Sequence, residues 1–99
     1  MNAAIQDTTT LIEKESIVEF SFPKEDVLDT EEQKEEREAR IKRGMRLGNS
    51  MKRKVKIIFE DEEGMKKVET TIWGFTDKNV ILKKTTVIPI RRIHEVKFY

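Results

Sequence analysis

Cysteine is absent from this chain, which excludes disulfides, thiol nucleophiles and thiolate-held zinc. No apolar run approaches the roughly 20 residues of a membrane-spanning helix. The first residues also lack the basic-then-apolar pattern of an export signal. A soluble cytoplasmic protein with no membrane partner is expected. Histidine occurs once, at His94, beside Glu95 and with no serine or cysteine nucleophile pattern near it. A lone histidine on a strand is ordinarily a surface or edge residue. The acidic run EDEEG over 60–64 lacks the alternate-residue oxygen ligands of a calcium loop and reads as a hairpin tip with solvated charges. Glycines are few, and Gly44 and Gly48 fall within or at the end of a helical stretch, so no glycine loop is placed to cradle a phosphate. These shortages predict a protein that is not an enzyme and carries no metal or cofactor.

What the chain does have is charge, unevenly placed. Ninety-nine residues allow one domain with a thin core, because a chain this short buries only about two-thirds of its unfolded surface. Residues 1–38 hold twelve carboxylates and four basic side chains, a net of −8. Residues 39–99 hold sixteen basic and seven acidic side chains, a net of +9. The stretch from Arg40 to Lys56 alone carries eight basic residues and no acidic one. Such a division suits a nucleic-acid face beside an acidic tail, or an acidic tail that pairs with its own domain.

Residues 1–29 form an acidic segment with little periodicity, expected to be largely flexible, and over 1–15 disordered. Within it SIVEFSFP alternates briefly, with Val18, Phe20 and Phe22 on one side, until Pro23 ends it. This predicts a docking strand at 16–22, or a short interaction motif. The domain proper is expected over 30–99. Asp29 or Thr30 caps a helix, and Gln33 completes a capping box with Thr30. Glutamates crowd the first turns and arginines the last, the order that complements the helix dipole. Ile41, Met45 and Leu47 supply its core-facing residues, and Gly48-Asn49 a left-handed stop.

After Ser50 the composition turns to strand formers. KRKVKIIFED alternates Val55, Ile57 and Phe59 against charged residues. KKVETTIWGFT follows as one long strand with Val68, Thr70 and Ile72 on one side and Glu69, Thr71, Trp73 and Phe75 on the other; Gly74 marks a bulge or bend. VILK, VIPI and HEVKFY are three further strands, with Pro89 at an edge or kink and RRI as a one-turn corner. The fold class predicted is therefore mainly β: an N-terminal α-helix followed by a five-stranded antiparallel small barrel, plugged by the helix.

The strand with its loop glycine (VKIIFEDEEG), the long bent strand (VETTIWGFT) and the close VILKKTTVIPIRRIHEVKF resemble the Sm-like and SH3-like small barrels. The same layout resembles a set of short bacterial proteins in which a basic helix precedes such a barrel. The resemblance covers roughly residues 36–99 and implies the fold. The asparagine of the Sm uridine-stacking loop and the Arg-Gly pair of the closing hairpin are not found, and KKTTVIPI stands where that pair would be. The motifs for ring assembly and uridine recognition are thus missing.

Two kinds of binding follow from these residues. Phosphate backbones are held by lysine and arginine, and small barrels bind single strands by stacking bases on exposed aromatics. Helix-end arginines have a structural use already, and lysines at strand edges discourage edge-to-edge pairing. Lys52, Arg53, Lys54, Arg91 and Arg92 are the cations the fold explains least. Trp73, Phe75, Phe98 and Tyr99 are the aromatics open to stacking, although a lone tryptophan in a thin core is more often its largest packing unit. RNA or another single-stranded nucleic acid is the favoured ligand. The alternative is a protein-interaction or regulatory module whose N-terminal segment docks on its own or a partner domain, or self-associates, with Val18, Phe20 and Phe22 as anchors.

Overall fold

The structure is a computed structural model that describes residues 9–99, the side chain of Thr85 excepted. The part of the expected flexible segment that falls on residues 1–8 lies outside the described residues. In chain order the elements are β1 (Thr10–Leu11), a 3₁₀ helix (Lys14–Glu19), α1 (Glu31–Met51), β2 (Val55–Asp61), β3 (Gly64–Thr70), β4 (Ile72–Phe75), β5 (Asn79–Leu82), a 3₁₀ turn (Lys83–Thr85), β6 (Val87–Pro89), a second 3₁₀ turn (Ile90–Arg92) and β7 (Ile93–Lys97). Among the described residues no helix is long and apolar enough to cross a membrane.

The start of α1 is as the sequence dictates. The Gln33 N–H donates to Thr30 Oγ1 at 3.1 Å and the Thr30 N–H to Gln33 Oε1 at 3.3 Å, a complete capping box. Arg37, Ile41, Gly44 and Gly48 are buried, and their spacing places them along one stripe of the helix. The end differs from expectation. The helix runs through Gly48-Asn49 to Met51, and the left-handed cap is Lys52 (φ 55°, ψ 35°), whose N–H donates to the Gly48 carbonyl. Gly48 serves a different need: a Cβ there would come within 2.6 Å of the Ile72 carbonyl oxygen and 2.8 Å of Thr71 Cγ2. The missing side chain lets the helix lie against the backbone of β4.

The strands form two sheets, one ordered β1-β3-β2-β7 and the other β4-β5-β6. In β2 the alternation holds, and Val55, Ile57 and Phe59 are buried. The long bent strand expected over 66–76 is broken at Thr71 into β3 and β4, one in each sheet. A register shift between Ile72 and Gly74 follows at once. That bulge holds Trp73 outward and turns Phe75, paired with the buried Val80, to the core side, opposite to simple alternation. The two sheets share one core that includes Ile41 of α1, Val68 of β3, Ile72 of β4 and Val96 of β7. Neither sheet closes into a barrel, so the closed five-stranded barrel is not what forms. The fold is a small α+β domain, rich in β, with one α-helix and seven short strands among the described residues. Strand β6 stops at Pro89, which has no N–H to extend a ladder, and the 3₁₀ turn at Ile90–Arg92 carries the chain back to the first sheet.

Residues 9–29 lie on this domain as a strap. The strand expected at 16–22 is instead a 3₁₀ helix followed by extended chain. In a 3₁₀ helix residues i and i+3 align, and here Ile17 and Phe20 turn toward the domain while Val18 is 77% exposed. The Phe20 and Phe22 rings sit 6.3 and 6.1 Å from the Phe59 ring. Upstream, β1 adds a short parallel strand to the edge of β3, and the Ile12 N–H donates to the Lys67 carbonyl at 2.9 Å.

Candidate nucleic-acid interface

The five cations singled out in the sequence separate into two groups. Arg91 and Arg92 leave the corner at Ile90–Arg92 and clamp the strap. Arg91 donates through Nε to the Pro23 carbonyl at 2.9 Å and through Nη2 to the Phe22 carbonyl at 3.4 Å. Arg92 donates through Nε to the Glu60 carbonyl at 2.9 Å and through Nη1 to the Glu25 carbonyl at 2.7 Å. Only 6% of Arg92 is exposed, so it offers almost no surface to a phosphate. The Glu60 carboxylate lies between Arg92 and His94, whose Nε2 is 2.8 Å from Glu60 Oε1. The single histidine is thus tied into the same structural group.

Beside this clamp an ion pair between buried Arg37 and half-buried Asp26 fixes the strap to the helix. Arg37 holds Asp26 in a fork, Nη1 to Oδ1 at 2.9 Å and Nη2 to Oδ2 at 2.8 Å, and Nη1 also donates to the Ile93 carbonyl. The Arg37 Nε is buried with no hydrogen-bond partner among the described residues. Burial pushes the Asp26 carboxyl up, but the Arg37 hydrogen bonds, the Leu28 N–H and the Arg37 charge outweigh it and hold it below its ordinary value. Nothing in the sequence joined these two residues, which stand eleven positions apart. Arg37, Asp26 and Arg91 line a surface cavity of about 500 Å3 together with Lys24, Asp77 and Lys78.

Lys52, Arg53 and Lys54 form the second group. All three are exposed where α1 gives way to β2. Arg53 Nη2 reaches the Tyr99 carbonyl at 3.5 Å, and neither Lys52 nor Lys54 has a carboxylate partner among the described residues. Lys54 lines a cavity of about 200 Å3 with Lys14, Lys83, Glu13, Glu69, Thr70 and Thr71. Lys83 is held there by its N–H, which donates to the Thr71 carbonyl at 3.1 Å. The lysine pair Lys83-Lys84 belongs with this end of the molecule, which sequence spacing alone does not reveal. The only signal was their basic charge beside a turn.

The helix separates the charges. Glu31, Glu32, Glu35 and Glu36 are exposed on its first turns, Arg46 is exposed before its last turn, and Lys52, Arg53 and Lys54 are exposed just beyond its end. With 21 residues, α1 sets these groups about 30 Å apart. Between them the charges are partly paired, Lys42 with Glu38 at 3.0 Å and Arg40 with Glu36 at 3.8 Å.

Of the aromatics, Trp73 is 48% exposed and Tyr99 66%. Phe75 is packed against the core, and the Phe98 ring is covered by Arg43, 4.4 Å from its centroid. The Tyr99 phenol is pushed above its ordinary value by desolvation and by its hydrogen bond to the Glu69 carboxylate. Among the described residues no three His, Asp or Glu side chains gather as a metal site. No protein-family model, curated protein or solved structure matches the chain.

Proposed function

We propose that this domain is a non-enzymatic cytoplasmic binding protein that takes RNA or another single-stranded nucleic acid on its cationic end. Lys52, Arg53, Lys54 and Lys83 contact phosphates, and Trp73 or Tyr99 stacks a base. One observation carries the reading. Among the described residues, the only non-glycine residues in the left-handed conformation are Lys52 (φ 55°) and Lys84 (φ 67°). Glycine fills such positions without strain, so a side chain there is retained at a cost. Both are lysines, and they stand two residues from Lys54 and one from Lys83, two of the three cations of a single cavity. Strain kept at a local outlier is a pointer to use. The helix, the strands over 55–97 and the 3₁₀ turn before the last strand support reading the fold as an open relative of the Sm-like and SH3-like barrels, a group with room for such a face.

The test is direct titration of a labelled mixed-sequence single-stranded RNA, and its DNA equivalent, at two salt concentrations. The K52Q/R53Q/K54Q variant serves as control, since all three side chains are exposed. Three or four phosphate contacts give log affinity a slope of roughly −2 to −3 against log salt. A salt-independent affinity, or equal binding by the triple variant, overturns the reading.

A protein-interaction module is the second reading, and the strap favours it. Arg91 and Arg92 hold backbone carbonyls, so the seat they make is indifferent to most side chains and suits the strap of a second copy. A concentration-dependent rise in molar mass in light scattering supports exchange of straps between copies; a monomer at every concentration removes it.

A further inference from the structure

The strap is held unevenly along its length. Its later part is anchored: Ile17 is 2% exposed, Phe20 and Phe22 lie on Phe59, and Arg91 and Arg92 grip the carbonyls of Phe22, Pro23 and Glu25. Its earlier part, residues 9–15, is an arm whose Thr10, Leu11 and Glu13 are exposed. The backbone of the arm rests on the edge of β3 through the two-residue pairing of β1 and the Ile12 N–H. Short edge pairing of this kind is among the first structure to open in a folded domain.

The place where the arm lies is the point of interest. Ile12, Glu13 and Lys14 line the same small cavity as Lys54, Thr71 and Lys83. Next in the chain, the Glu15 carboxyl is held below its ordinary value by its hydrogen bond from Lys14, with the charge of Lys84 adding to the effect. Glu13 therefore stands beside Lys54 and Lys83, which the proposed function assigns to phosphates, and Glu15, paired with Lys14 at 2.8 Å, is within reach of the charge of Lys84.

We propose that residues 9–15 are a built-in competitor for the nucleic-acid site: Glu13 and Glu15 stand in for phosphates at Lys54, Lys83 and Lys84, and the arm lifts when a real phosphate backbone arrives. This rests on the reading of the cationic end as a nucleic-acid site. The hinge is the stretch between Glu13 and Ile17, because everything after it is anchored. The arm thereby weakens binding to scattered anions and favours ligands with several phosphates in a row.

Two measurements decide it, and they fail separately. First, the E13Q/E15Q variant, which removes both negative charges from exposed side chains, binds mixed-sequence single-stranded RNA about two- to five-fold more tightly than the native chain at low salt, the range expected of exposed charge pairs. The gain shrinks as salt rises. Second, amide hydrogen exchange is followed at Ile12 and Phe20 in the full chain. Addition of RNA accelerates exchange at Ile12, while Phe20, whose N–H donates to the Ile17 carbonyl, keeps its protection. In the ligand-free chain the K54Q/K83Q variant accelerates Ile12 in the same way. Unchanged affinity in E13Q/E15Q together with an Ile12 amide indifferent to RNA overturns the competitor while leaving RNA binding intact. If no oligonucleotide binds either chain, the nucleic-acid reading falls; an Ile12 amide that K54Q/K83Q leaves unchanged then removes the arm's attraction to the lysines as well.

Discussion

Gly48 lies so close to Ile72 that a methyl group on its α-carbon would meet the Ile72 carbonyl oxygen at 2.6 Å. Gly44, one turn earlier, would crowd the end of the Ile72 side chain, Cδ1 at 2.9 Å, and make ordinary contact with Val55 and Phe98. The two positions therefore answer differently to the same change. Alanine gains about 1 kcal/mol of helix propensity over glycine at either site. At Gly48 the obstacle is backbone, which cannot give without moving β4, and overpacking of this kind costs about 1–3 kcal/mol. Gly48→Ala is expected to lower the melting temperature, and Gly44→Ala to leave it level or raise it slightly. Thermal unfolding followed by circular dichroism separates them; equal shifts would mean that the helix is not seated on β4 as described.

Acid stability tests two paired carboxylates, the buried Asp61 and the half-buried Asp26. In Asp61, desolvation is outweighed by hydrogen bonds from Lys66 and from the Glu63 and Gly64 N–H groups, so its carboxyl, like that of Asp26, lies below 3.8. A lowered folded pKa adds stability that is fully present above the ordinary carboxylate value. It is lost as pH falls through the lowered value. Urea midpoints should hold steady from pH 7 to about pH 4 and drop below it. Asp26→Asn leaves the Arg37 guanidinium, 5% exposed, without its counter-charge. Its cost is about 3 kcal/mol at neutral pH, the lower end for a broken buried pair because Asp26 is partly open to water. The variant's acid limb should be correspondingly flatter. A midpoint that ignores pH down to 2 contradicts both assignments.

Lys52→Gly opposes stability to binding. Removing the side chain from a left-handed cap relieves about 0.5–1 kcal/mol of strain, which in a domain of this size raises the melting temperature by a few degrees. The same change deletes one phosphate contact, so the salt slope of RNA binding becomes shallower by about 0.7. A variant that is more stable and binds RNA with the native slope would leave Lys52 without a role in the interface.

What the sequence made legible was local. Thr30 and Gln33 meet within one turn, so their capping box could be read directly, and the one-turn corner expected at RRI over 91–93 forms one residue earlier, at Ile90–Arg92. What it hid was set by distant contacts. Gly48 looked like a helix stop because glycine often is one, but its use is to admit the backbone of β4. Alternation offered Val18 as an anchor, and the 3₁₀ winding of the strap exchanged it for Ile17. Gly74 announced a bulge, yet not that one extra residue would move Phe75 inward and keep Trp73 outside. Charge alone could not distinguish Arg92, spent on carbonyls of the strap and β2, from Lys54, which stands open to solvent. In the run EDEEG, Asp61 is buried as the acceptor for two turn N–H groups and Lys66, where four solvated charges were expected.

Trp73 offers the sharpest separation between folding and binding. It is the largest side chain of the protein, yet it stands 48% exposed on a bulge while the core beneath is filled by Ile72, Val80 and Leu82. An aromatic of this size left half wet adds little to stability, so Trp73→Ala should change the unfolding free energy by no more than about 1 kcal/mol, far from the 3–5 of a core tryptophan. If its ring stacks a base, the same substitution weakens single-stranded RNA binding by about 1–3 kcal/mol, five-fold or more, and the native indole fluorescence is quenched on titration. Tyr99→Ala provides the comparison, because its hydroxyl is engaged by Glu69 and its ring faces solvent at the cationic end. Loss of affinity in one variant and not the other identifies the stacking residue. Full native affinity in both, with unquenched fluorescence, restricts any nucleic-acid contact to phosphates and reduces the interface to charge alone.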